Sequence, residues 1–152
     1  MALKDFTLLA KMEALDLEGH KFCQKFNKAE RHVLSAEIRH TNAALLHLLI
    51  RAAKTQIYER RMRRPLAQTR ELLWQADVEL EYLKLQVRKA YNLRLVNEAA
   101  YERWSRMILE VGGLLGGWIK KVNDSIETSP FRQAAPKQPP PSPGPGQGSL
   151  LG

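Results

Sequence analysis

From Tyr101 to Val122 the chain reads YERWSRMILEVGGLLGGWIKKV. Apolar residues recur there at Tyr101, Trp104, Ile108, Val111, Leu115, Trp118 and Val122, in alternating steps of three and four. That spacing lays one stripe along an α-helix and gives it a seam for bundle packing. Three earlier segments keep the same period. Leu8, Met12, Leu15, Gly19, Phe22 and Phe26 predict a helix over about 5–25. Leu34, Ile38, Leu45, Leu48, Leu49 and Ala52 predict a second from Asn27 to about Arg63. Leu73, Ala76, Leu80, Leu83, Val87 and Ala90 predict a third over about 66–91.

Boundary signals fit these spans. Asn27-Lys-Ala-Glu30 is an asparagine version of the capping box, and Asn97 caps the fourth helix with Glu98 at its positive end. Pro65 forbids continuation of the second helix and suits the opening of the third. No segment alternates in the manner of a half-buried strand. Short connections make sequential helices antiparallel neighbours, so the sequence predicts an all-α, up-down-up-down four-helix bundle. It carries no internal repeat.

Gly112, Gly113, Gly116 and Gly117 interrupt the fourth helix. Each costs roughly 1 kcal/mol against alanine in a helix interior. Together with Trp118 they mark a place of close helix packing or oligomer contact, inside the monomer or between subunits. Their spacing matches the membrane dimer motif, but the longest uncharged apolar run, Val111 to Ile119, is nine residues. That is far below the ~20 needed to span a bilayer. With an amino terminus too short and too charged for a signal peptide, the expectation is a soluble, cytoplasmic protein with no membrane role.

Composition divides the 152 residues in two. Residues 129–152 hold seven of the eight prolines and four of the nine glycines, too little apolar surface to offset ordering entropy. This segment is read first as a solvated, disordered tail, with PPPSP as a polyproline ligand the alternative. Residues 1–128 form one domain of ordinary size. Cys23 is the single cysteine, so an intramolecular disulfide is impossible, and between Phe22 and Phe26 it reads as a small core residue.

Candidate chemistry is sparse. Glu37-Ile-Arg-His40 has the Glu-x-x-His spacing of di-iron bundles, but the full site needs a second such pair, and the sequence contains none. Glu37 and His40 flank the core residue Ile38 and are expected on the surface, with His20, His32 and His47 also surface or satisfied histidines. No phosphate loop, zinc spacing or nucleophile elbow is present, so no cofactor, metal or catalytic residue is assigned.

Charge changes the picture more. The formal net charge is +8, and only Arg132 and Lys137 of that excess lie in the tail, which leaves +6 on the helical body. A basic domain of this size points to a polyanion or an acidic protein partner. Arg60, Arg61, Arg63 and Arg64 crowd the end of the second helix, and Lys120 and Lys121 close the fourth. In an antiparallel bundle these six share one pole, a candidate phosphate track, although cations at a helix end are also favoured by the dipole alone. Lys84 and Arg88 sit one turn apart on the third helix, with Lys89 and Arg94 following, and these four are the candidate partner-binding residues. With few aromatics outside the predicted core, phosphate and shape recognition is expected rather than base stacking.

Two segments go beyond generic bundle patterning. His20 to Arg39 contains a Lys-Phe-x-Lys-x-Glu-Arg core before a helix, and Leu83 to Val122 ends in Glu110-Val-Gly-Gly-Leu-Leu-Gly-Gly-Trp-Ile119. Together they resemble the four-helix bundle family of the accessory variability determinant (Avd) of diversity-generating retroelements and the proteins encoded in ribosomal RNA intervening sequences. The resemblance covers about residues 8–123, and its glycine-rich close resembles the Avd branch. It implies a non-enzymatic protein that forms a basic homopentameric barrel. Such a protein would bind the retroelement's reverse transcriptase and template-repeat RNA in support of mutagenic cDNA synthesis. The family's Leu-Arg-x-x-x-Arg pattern, associated with reverse transcriptase contact, falls on Leu83, Lys84 and Arg88, with Lys in place of the first Arg. Lysine offers a point charge where arginine offers a planar fork. The alternative the resemblance leaves is an intervening-sequence type protein with no reverse transcriptase partner.

Overall fold

The computed structural model describes residues 6–128. The capping role expected of Glu30, the setting of His32 and everything expected of residues 129–152 lie outside the described residues. Four helices follow in order, with no strand among the described residues: α1 Thr7–Cys23, α2 Lys28–Arg61, α3 Ala67–Asn92 and α4 Glu98–Glu127. α1 contacts α2, α2 contacts α3, α3 contacts α4, and α4 returns to α1, closing a ring of four around one core.

The predicted stripes are the buried ones. Met12, Leu15, Phe26, Ile38, Leu45, Leu49, Leu73, Leu83, Trp104, Ile108 and Leu115 lie almost wholly inside. Each such side chain contributes on the order of 2 kcal/mol when taken from water. Tyr101 and Leu48, placed on the inner stripes by period, are only half-buried. Cross-helix pairs show the register. Lys11 meets Glu110 at 2.8 Å and Glu18 meets Arg103 at 3.3 Å, so residue numbers rise along α1 as they fall along α4.

The turns are fixed by unlike devices. At α4 the expected cap forms: the Asn97 side chain accepts a hydrogen bond from the Ala100 amide at 2.8 Å. At α3 it does not. The helix begins at Ala67, two residues beyond Pro65, and its N-cap position is Leu66, which has no capping side chain. The acceptor comes instead from α2. Glu59 is 3% exposed, and one carboxylate oxygen accepts from the Thr69 amide at 2.9 Å and the Thr69 hydroxyl at 2.6 Å. The other oxygen accepts from the Gln68 amide at 3.1 Å. A carboxylate here satisfies orphan donors and meets the positive end of the helix dipole.

Both ends of α3's connections close in the same way. Arg64 and Arg63 amides bond back to the Glu59 and Arg60 carbonyls at 2.8 and 3.1 Å, while Leu95 and Arg94 amides bond to Ala90 and Tyr91, each at 2.9 Å. This is the Schellman pattern, whose penultimate residue takes left-handed backbone angles. Glycine is the usual occupant, but here Arg63 (φ 54°) and Arg94 (φ 59°) fill it.

Glycines fall into two groups. A Cβ on Gly19 would lie 3.1 Å from the Asn42 amide nitrogen and 3.5 Å from the Trp104 ring, so α1 approaches those side chains closely. On α4, a Cβ at Gly112 would touch Leu80 at an ordinary 3.5 Å, and at Gly113, Gly116 or Gly117 it would meet nothing within 4 Å. Within the described chain, then, no close packing accounts for the last three.

Candidate functional site

Two clefts gather the candidate residues. The first lies between α3 and α4. Helical spacing turns Lys84 and Arg88 to one side of α3, and Val87, Tyr101, Ser105, Ile108 and Leu109 complete a groove of about 450 Å³ with them. Lys84 is steadied by Glu81 at 3.4 Å, an i,i+3 pair exposed enough to contribute only a few tenths of a kcal/mol. Arg88 makes no ion pair among the described residues and stands exposed. Tyr101 also stacks on Tyr91, with centroids 4.3 Å apart and planes 12° apart, tying the end of α3 to the start of α4. A cationic rim over an apolar floor suits a partner that offers carboxylates or phosphates beside an apolar side chain. Lys89 and Arg94 do not line this groove. Both are exposed, Arg94 at the left-handed turn after α3.

The second cleft joins the start of α1 to α2 and α4. Phe6, Thr7, Gln56, Arg60, Gly113, Gly117, Trp118 and Lys121 are among its walls, and it measures about 490 Å³. Trp118 is its fixed element. Its indole N–H donates to the Gln56 side-chain oxygen at 2.8 Å, and Phe6 meets its ring edge-on at 4.6 Å. Of the six cations expected at one pole, Arg60 and Lys121 line this cleft together. Arg61, Arg63 and Arg64 are exposed at and beyond the end of α2, with Arg64 over the Tyr58 ring at 5.7 Å. Lys120 turns aside to Asp124 at 3.1 Å. The buried Glu59 holds the turn that carries these arginines, a role its sequence position gave little sign of, since glutamates on helices are mostly solvated.

Other candidates are placed plainly. Glu37, His40 and His47 are exposed on α2 and His20 on α1, and among the described residues no group of three His, Cys, Asp or Glu gathers as a metal requires. Cys23 is buried, and burial pushes its thiol up, partly offset by a hydrogen bond with Ser35 and the charge of Arg39. It therefore stays protonated near neutrality and is not poised as a nucleophile. No helix among the described residues is long and apolar enough to cross a membrane. The aromatics that stand well outside the core are Tyr58, Trp74 and Tyr82, each 43–48% exposed among the described residues. The period alone assigns α3 one inner stripe and leaves the opposite side unread.

Comparison with known proteins adds one finding. A family model described as bAvd-like matches residues 6–122, which takes in all of α1 to α3 and most of α4. No curated protein matches the chain.

Proposed function

Because the chain belongs to the bAvd-like family, we propose that it is an accessory protein of a diversity-generating retroelement. It performs no chemistry of its own and holds a reverse transcriptase and its template-repeat RNA together during mutagenic cDNA synthesis. The observation that carries this reading is the family match over residues 6–122, which spans the groove lined by Lys84 and Arg88. The groove's mixed apolar and cationic lining suits a protein partner. The exposed cations Arg60, Arg61, Arg63, Arg64 and Lys121 suit a phosphate backbone, with Lys120 beside them. In this reading the four helices alternate in direction and five copies close a barrel in the cytoplasm, whose summed field raises the capture rate of RNA.

The test is purification of the tagged protein from its own cells, with bound protein and RNA identified. The parent chain should bring down a reverse transcriptase and a retroelement RNA. A Lys84→Glu/Arg88→Glu variant should keep its helicity by circular dichroism and lose the reverse transcriptase. Retention of the enzyme by that variant would remove the groove as its docking site. Ribosomal RNA alone in the parent's eluate would replace this reading with the intervening-sequence one.

A further inference from the structure

The second half of α2 is almost free of acids. From Ile38 to Arg70 the chain has eight lysines and arginines and one carboxylate, Glu59. That carboxylate is buried and bonded to Gln68 and Thr69, so it offers nothing to the surface. Arg51, Lys54, Arg60, Arg61, Arg63 and Arg64 are all exposed, and none makes an ion pair among the described residues. Where α4 reaches the same pole, Lys120 and Lys121 are matched by Asp124 and Glu127, with Asp124 held by Lys120. The excess charge of this pole therefore belongs to α2.

One aromatic stands among these cations. Arg51, Lys54, Tyr58 and Arg61 follow at intervals of three, four and three, which puts them on one face of the helix. Tyr58 is 45% exposed, Met62 is exposed one turn beyond it, and the Arg64 guanidinium lies over the tyrosine ring at 5.7 Å. Cations before and behind a ring that lies outside the core suit single-stranded nucleic acid, whose backbone the cations hold and whose base the ring stacks. An acidic protein segment would call for the cations alone. Bases inside a duplex are stacked on one another and do not reach a side chain on a helix surface, whereas those of a single strand or loop do.

The patch is also set in advance. Glu59 fixes the turn into α3, and the closure of α2 puts Arg63 in left-handed backbone, where glycine would fit at lower cost. We propose that the end of α2 is a single-stranded RNA site, in which an unpaired base stacks on Tyr58 while Lys54, Arg61 and Arg63 hold the flanking phosphates. This rests on the RNA half of the reading above and deepens it, by naming the form of RNA and the residue that stacks.

The test measures binding of the full chain, by fluorescence anisotropy across a salt series, to labelled oligouridine and to the same strand annealed to oligoadenosine. Tyr58→Ala should weaken oligouridine about tenfold and leave the duplex affinity and the salt slope unchanged, while Tyr58→Phe should bind as the parent does. Arg63→Gly should weaken both RNAs, lower the slope of log K against log salt by about 0.7 on the single strand, and still melt higher than the parent. Both positions are exposed, so circular dichroism of the variants should match the parent. If Tyr58→Ala weakens neither RNA or both equally, or Tyr58→Phe is as weak as Tyr58→Ala, the stacking assignment falls while RNA binding stands. If Tyr58→Ala weakens an oligoglutamate peptide as much as oligouridine, the face is one for acidic protein and the proposal is overturned. A parent that binds neither RNA overturns the RNA half of the reading, and this site with it.

Discussion

Glu59 shows how one side chain sets the geometry of a whole end of the molecule. Its carboxylate serves three donors of the α3 entrance, two of them the buried amide and hydroxyl of Thr69. Glu59→Ala leaves those donors without an acceptor, and the expected cost is about 3 kcal/mol, read as a lower urea midpoint with an unchanged slope. Glu59→Gln keeps one acceptor oxygen and should lose less. Arg63 and Arg94 run the other way. Both occupy left-handed positions that cost a side chain about 1 kcal/mol, so Arg63→Gly and Arg94→Gly should each raise stability by up to that amount in the same titration. A protein that keeps arginine at two glycine positions forgoes that stability. The exposed guanidinium of Arg63, beside Arg61 and Arg64, fits a use for its charge.

At the scale of the helix, glycines that look alike in sequence have opposite consequences. Gly19 faces Asn42 and Trp104, both fully buried, so Gly19→Ala must displace a packed neighbour. Overpacking of this kind costs about 1–3 kcal/mol, more than the roughly 1 kcal/mol gained in helix propensity, and the melting temperature should fall. At Gly116 the added methyl meets nothing within 4 Å, and Gly116→Ala should raise the stability of the isolated chain by about 0.5–1 kcal/mol. Thermal unfolding at low protein concentration separates the two. A fall at Gly116 would mean that α4 is crowded there. α3 carries the same lesson, since Leu73, Leu80 and Leu83 are buried while Trp74, Val78, Tyr82 and Leu85, also apolar, stay 43–48% exposed.

Over the whole molecule, charge is sorted by surface. Cations collect at the end of α2 and beside the α3–α4 groove, while the acids of α3 fall between Arg70 and Lys84. This sorting separates a surface fit for phosphate from a surface fit for protein on one small bundle.

The four helices, their inner stripes and the Asn97 cap were legible in the sequence because period and local hydrogen bonding are properties of neighbouring residues. Lys84 and Arg88 were legible as a pair for the same reason, as residues four apart share a helix face. What they face was not. Tyr101, Ser105 and Leu109 reach their groove from another helix, and Gln56 reaches Trp118 across 62 positions of chain. Glu59 as the cap of α3, the open space beside Gly113, Gly116 and Gly117, and the exposure of Trp74 and Tyr82 were likewise decided by tertiary structure. Periodicity fixes which side of a helix a residue occupies. Whether that side meets core, solvent or a distant carboxylate depends on how the helices are placed against one another, which local spacing does not encode.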